Sequence, residues 1–179
     1  MYIKMKNIYL YISCLLVIVS LASCEEDYDN PIDGLEQTNL FVQFAANTPE
    51  EVETVEGGEE EEFTVQVPIS MEADLIAELS FSGDAEYGVD FDIAADSLVS
   101  ASETGAKLFI EYTKTDNSDV VVDQTNFTIK FLDDAIADGD KTLIVTLTGA
   151  VGATDNSIKL DGGRGAIRKE INFNIADNE

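Results

Sequence analysis

The 179-residue sequence contains no histidine, no tryptophan and only two cysteines, Cys14 and Cys24. Without histidine the chain cannot form Ser-His or Cys-His nucleophilic pairs or imidazole metal sites. Basic residues are also scarce, with 10 Lys and Arg against 36 Asp and Glu, so the formal net charge is −26. This charge would repel the phosphates of a nucleic acid, which we therefore exclude as a partner. It suits either a solubilising coat or the binding of divalent cations.

Residues 1–23 have the pattern of a secretory signal peptide. Lys4 and Lys6 precede an apolar run over residues 8–21, and small residues follow that run. A positive region, an apolar region and small residues in this order mark a cleavable export signal. The alternative is a single transmembrane anchor, but the run is short for a membrane span and no basic stop-transfer flank follows it.

The end of this segment, Leu21-Ala22-Ser23-Cys24, resembles the lipobox of bacterial lipoproteins. The resemblance implies that Cys24 becomes the first mature residue and carries the lipid. More than one acyl chain gives firm attachment to a membrane. We expect the lipid to anchor the protein in the outer membrane. The sequence does not decide whether the protein faces the periplasm or the cell surface. Cys14 would be removed, so the mature chain would have no disulfide despite its exported location.

The mature chain divides into a tether over residues 24–38 and one domain over residues 39–179. The tether is acidic and has little apolar content. Its acidic run resembles a surface-export signal of some Gram-negative lipoproteins, although an ordinary solvated linker explains it equally well. Residues 1–23 contain two lysines and no acid, so their removal would change the net charge from −26 to −28.

From Leu40 onward, short segments of alternating apolar and polar residues are separated by turn residues. No stretch after residue 24 has a convincing helical period. Many short strands at regular spacing predict an all-β antiparallel sandwich. The predicted strands are 40–45, 63–69, 75–81, 98–100, 107–112, 120–122, 127–132, 143–147 and 167–175.

Alternating strand directions predict that the acidic stretches gather at one end of the sandwich. The loop at 133–140 carries four aspartates in eight residues. Counting strands from it places the loop at 82–92, Glu56 and the acidic C-terminus at the same end. Carboxylates this close repel one another unless a cation or solvent screens them.

Four segments resemble the Calx-beta domain family in their order and spacing. They are VEGG at Val55–Gly58, AEYGVDF at Ala85–Phe91, the strand–acidic loop–strand unit at 127–147, and INFNIADNE at Ile171–Glu179. The resemblance covers about residues 50 to 179. It implies an immunoglobulin-like β-sandwich of about seven strands, and residues 101–123 look like an extra hairpin. It further implies that carboxylates at one end hold calcium.

Carried over residue by residue, the resemblance gives a set of candidate calcium ligands: Glu56, Asp90, Asp133, Asp134, Asp138, Asp177 and Glu179. Calcium takes six to eight hard oxygen ligands, which carboxylates on loops supply. Three positions depart from the pattern of binding members, because Ala135 and Lys141 stand where acids are common and Asn178 interrupts the terminal acidic run. The alternative is an acidic face that is simply solvated.

We therefore predict an exported binding or interaction module and no enzyme, with an unidentified protein or glycan as partner. One alternative is a calcium-independent accessory lipoprotein that captures surface glycans. Another is an enzyme, since paired acids can hydrolyse glycosides, but nothing in the sequence shapes a cleft between them.

Overall fold

The computed structural model describes residues 40–113, 122–133, 136–137 and 139–178. These ranges contain eleven strands and no helix that could span a membrane. The predicted signal peptide, Cys24 and the tether lie outside them. The strands are β1 (Phe41–Phe44), β2 (Glu51–Val55), β3 (Glu61–Val67), β4 (Leu75–Gly83), β5 (Phe91–Ala94), β6 (Leu98–Ser102), β7 (Gly105–Ile110), β8 (Asp123–Phe131), β9 (Lys141–Gly152), β10 (Lys159–Gly162) and β11 (Glu170–Ala176).

The strands form two hydrogen-bonded layers that share β1. One layer has the order β5-β8-β3-β1, and its pairs are antiparallel. The other has β6-β7-β4-β9 in antiparallel order, with β10 and β11 on the far edge of β9. β1 joins the layers because it pairs with β3 in the first and, in parallel, with β10 in the second. The predicted all-β class is confirmed.

β10 and β11 occupy one position in the sheet as two successive strands, and β1 and β2 do the same at the next position. β10 and β11 pair with successive parts of the same edge of β9, and β1 and β2 run parallel to β10 and β11 in turn. The glycine-rich segment 162–165 begins the link between β10 and β11, which run in the same direction. Gly162 is required there because a Cβ would collide with the carbonyl group of Leu147. Counting each of these two pairs of successive strands once leaves nine strand positions among the described residues, two of which belong to the β6–β7 hairpin. The extra hairpin predicted at 101–123 extends into residues 114–121, which lie outside the described residues.

Aromatic side chains join the two layers in the core. Phe63 and Phe131 belong to the β8-β3 layer and contact Phe173 of β11, with ring centroids 5.6 Å apart in both pairs. These three rings and Phe127 are all buried. They alternate with polar residues along their strands, which is why the sequence pattern predicts the buried face correctly.

The predicted strand directions are partly wrong, although the predicted clustering of loops holds. The short strand β5 is missing from the prediction, and the separate strand predicted at 120–122 falls mainly outside the described residues. β7 is antiparallel to β4 and β6 is antiparallel to β7, so both run opposite to the prediction. β4 runs in the predicted direction, so the loop that follows it lies at its predicted end.

Candidate functional site

Four strands run in one direction and finish at the same end of the sandwich. β2 is parallel to β11, β4 and β11 are both antiparallel to β9, and the chain of pairings through β10, β1 and β3 gives β8 the same direction. The segments that follow them are 56–60, 84–90, the described part of 132–140 and 177–178, and they therefore lie at one end. We call this the acidic end.

Glu56 lies where three segments of the acidic end meet. Its residue is only 2% exposed, and Gly57 adopts a left-handed φ of 62° that turns the chain directly after it. The Glu56 N–H donates to the carbonyl of Ala176 at 3.0 Å, and Asn178 Nδ2 donates to the carbonyl of Glu56 at 2.8 Å. A Cβ placed on Gly57 would lie 3.1 Å from Cβ of Asp133. The loop after β2, residues 56–60, thus contacts the C-terminal segment, residues 177–178. It also contacts the loop at 133–140, which we call the aspartate loop.

Asp177 fastens the C-terminal segment to the aspartate loop. Its Oδ2 accepts the N–H of Gly139 at 2.8 Å, and its own N–H donates to Oδ1 of Asp140 at 3.1 Å. Asp140 was not among the predicted ligands. The acidic composition of the loop could indicate that an aspartate acts there but not which one.

Asp90 is buried, with 3% exposure, and stabilises its own loop. Its Oδ2 accepts the N–H of Glu86 at 2.5 Å, and its N–H donates to the carbonyl of Glu86 at 2.9 Å. The carbonyl of Asp90 accepts the N–H of Leu132, at 2.8 Å, immediately before Asp133. Asp90 therefore joins two of the four segments, and part of its carboxylate is already used as a turn acceptor.

Asp84, which the sequence did not single out, anchors the start of β9 to the end of β4. Its Oδ1 accepts the N–H of Thr142 at 2.5 Å and the hydroxyl of Thr142 at 2.6 Å. These two hydrogen bonds are the main cause that lowers the pKa of Asp84, with a smaller contribution from the ammonium of Lys141. Lys141 thus places a positive charge near Asp84, at the acidic end.

The lowered pKa predicts a contribution of Asp84 to acid stability. A carboxyl group whose pKa is lower in the folded state stabilises the fold above its unfolded pKa, and that stability is lost as the pH falls through the folded pKa. We expect Asp84→Asn to lose less unfolding free energy than the wild type between about pH 5 and about pH 2. Urea denaturation at several pH values measures this difference.

Glu103→Gln is the matched control, because Glu103 is an exposed acid in the β6–β7 turn. An equal change of pH dependence in both variants would show that overall charge, and not the contact with Thr142, is responsible.

Burial of an acid is not specific to the acidic end. Asp123 is 4% exposed and lies at the opposite end, at the start of β8. Its two carboxylate oxygens accept the hydroxyl of Ser70 at 2.7 Å and the N–H of Thr113 at 2.9 Å. Both oxygens are thereby used to connect loops, so we assign Asp123 a structural role.

The acidic end has the donor chemistry of a calcium site, but its described residues do not complete one. The candidate ligands at this end are carboxylates, whose oxygen atoms are the type of ligand that calcium takes. Among the described residues, however, no three acidic side chains lie close enough together to hold a metal ion. The candidates Asp134, Asp138 and Glu179 lie outside the described residues. Glu56, Asp90, Asp133 and Asp177 are the predicted ligands that the described residues bring to the acidic end.

Comparison with known proteins finds solved structures that match this chain over most of its length. The apo-form Calx CBD1 domain has 19% sequence identity over 78% of this chain and 99% of that chain, with a TM-score of 0.47. The Calx CBD2 domain has 12% identity over 77% of this chain and 86% of that chain, with a TM-score of 0.48. The structure of calcium binding domain CBD12 of CALX1.1 has 20% identity, covers 72% of this chain and 42% of that chain, and has a TM-score of 0.44.

The chain thus spans less than half the length of the CBD12 structure. All three TM-scores are below 0.5. The all-β architecture of this chain follows from its own strands and their pairings. No protein-family model matches the sequence, and no curated protein matches it.

Proposed function

We propose that the protein is an exported, lipid-anchored β-sandwich that acts as a binding module and holds calcium at its acidic end. The lipid would be attached to Cys24 and would hold the protein at the outer membrane. The partner would be a protein or a glycan. The residues that would contribute to the calcium site are Glu56, Asp90, Asp133, Asp134, Asp138, Asp177 and Glu179.

One observation carries the calcium part of this proposal. The side chain of Glu56 is buried where the C-terminal segment and the aspartate loop meet, so a carboxylate is removed from water beside other acidic residues. Carboxylates that are brought this close together repel one another. A divalent cation among them would offset that repulsion.

The function of bound calcium would be to order the acidic end. The four segments come from distant parts of the chain and are already joined by a few hydrogen bonds, each of which involves at least one main-chain group. An ion that binds the folded state and not the unfolded one stabilises the fold by mass action. Calcium would thereby fix the loops that a partner meets at this end.

Hydrogen–deuterium exchange with calcium and with chelator tests the proposal directly. We expect calcium to slow exchange at the amides of 56–60, 84–90, 132–140 and 177–178, because these segments would share one ion. The turn at 163–169, between β10 and β11, is the internal control and should not change. Unchanged exchange in the four segments, or the same protection by magnesium, would contradict a specific calcium site.

A further inference from the structure

One edge of β8 is only partly covered. β8 spans Asp123–Phe131, and on one side it pairs with β3 through residues 123–129. On the other side β5 pairs with residues 128–131 alone. Within the described part of the chain, no strand pairs with residues 123–127 on that second side.

The backbone direction shows which groups this open edge presents. The N–H of Leu132 donates to the carbonyl of Asp90, on the β5 side. Main-chain polar groups of successive residues point to opposite sides of a strand, so those of Asn126 and Gln124 also point to the β5 side. No described residue is hydrogen-bonded to these two N–H groups or two carbonyls on that side. Among the described residues, the edge therefore offers two donors and two acceptors without a partner, at strand spacing.

A cavity of about 610 Å³ lies against this edge. It exists because the chain leaves β5 at Ala95 and turns toward the other layer. The N–H of Leu98 donates to the carbonyl of Ala95 at 3.2 Å, and the carbonyl of Ser97 accepts the N–H of Phe109 of β7 at 2.8 Å. Ser97 Oγ also lies 2.5 Å from Oγ1 of Thr125, so the turn contacts β8 through this pair of side chains. In the described part of the chain the turn makes no main-chain hydrogen bond to β8, and a groove remains between the turn and this edge.

The groove is negatively charged. Glu62 and Asp96 line it, the described lining contains no basic residue, and the whole chain carries a net charge of −26. Glu62 Oε1 accepts Nδ2 of Asn126 at 3.1 Å, which holds its carboxylate over the β8 face. A ligand that approaches this edge is therefore favoured if it is positively charged.

We infer that the open edge of β8 binds an extended peptide segment of a partner protein that carries lysine or arginine. The segment would add as a strand antiparallel to β8, in line with β5. Its main chain would pair with Gln124 and Asn126, since alternating donors and acceptors are best matched by another strand. Its basic side chains would lie near Glu62 and Asp96. This inference is independent of the calcium proposal.

The experiment measures peptide binding to the full-length chain in mild detergent, with chelator present. The probe is a fluorescent peptide with blocked ends and alternating lysine and valine. We expect it to bind, and we expect a Glu-Val peptide of the same length to bind at least about tenfold more weakly. Methylation of alternate peptide nitrogens, on the side that faces β8, should also weaken binding about tenfold because it removes main-chain hydrogen bonds and leaves the charge unchanged.

Two variants of one residue give the matched test on the protein. Gln124→Pro removes the outward N–H without removing a hydrogen bond to β3, and proline is tolerated where a strand N–H faces solvent. We expect about tenfold weaker binding for Gln124→Pro and a change of less than about twofold for Gln124→Thr, which keeps the N–H. Thermal melting of both variants verifies that they are folded.

Several outcomes would overturn the inference. They are no binding of the Lys-Val peptide, equal binding of the N-methylated peptide, and equal affinity of folded Gln124→Pro and wild type. Binding of a neutral oligosaccharide that the Lys-Val peptide cannot displace would assign the groove to a glycan instead. Because chelator is present throughout, none of these results depends on the calcium site.

Discussion

Replacing Phe173 with alanine is expected to lower the free energy of unfolding by about 3–5 kcal/mol. Phe173 is 1% exposed, and its ring contacts Phe63 and Phe131 of the opposite layer. Removing the ring loses its burial and leaves a cavity at the point where the two layers meet. Urea denaturation followed by circular dichroism at 25 °C measures the loss.

Phe173→Leu is the matched control, because leucine fills most of the same space and should cost much less. Phe109→Ala is a second control, since Phe109 of β7 is only half-buried and faces away from the core. A loss below about 1 kcal/mol for Phe173→Ala, or equal losses for Phe173→Ala and Phe109→Ala, would show that the layers do not meet as described.

Glu56→Gln is expected to remove most of the calcium-dependent rise in melting temperature. At a calcium concentration 100 times the Kd, one bound ion stabilises the folded state by about 2.7 kcal/mol. For a domain of this size that corresponds to roughly 5–10 °C. Glutamine keeps the shape of the side chain and removes its charge, so the variant should fold and no longer bind the ion firmly. Differential scanning calorimetry with calcium and with chelator measures the effect.

Glu59→Gln is the control for Glu56→Gln, because Glu59 is exposed and lies in the same loop. It should retain the full calcium response. The double variant Asp134→Asn with Asp138→Asn should lose that response, since the described acidic residues do not form a metal site by themselves. A full response in the double variant would place the ion elsewhere on the chain.

The fold class could be predicted from the sequence because burial imposes a period of two on each long strand. β3, β8 and β11 show this alternation clearly, and all three were located. β2, β5 and β10 are only four or five residues long, so alternation over so few positions carries little information. Their existence depends on pairing with distant strands, which no local pattern records.

The acidic end could be predicted in outline because the loops that follow parallel strands must lie together. The function of each acid could not be predicted, since it depends on which main-chain N–H lies nearby. Asp90 accepts from Glu86 and Asp84 accepts from Thr142, and neither contact follows from residue type or spacing. The open edge of β8 could not be predicted from the sequence either. It exists because β5 is short and pairs only with residues 128–131 of β8.

The most direct test of the central claim is the melting temperature of the wild-type protein in calcium, in magnesium and in chelator. We predict a rise of roughly 5–10 °C in saturating calcium relative to chelator, and a much smaller rise in magnesium, which binds flexible carboxylate loops poorly. A melting temperature that is the same in calcium and chelator, or that rises equally in calcium and magnesium, would contradict a calcium site at the acidic end.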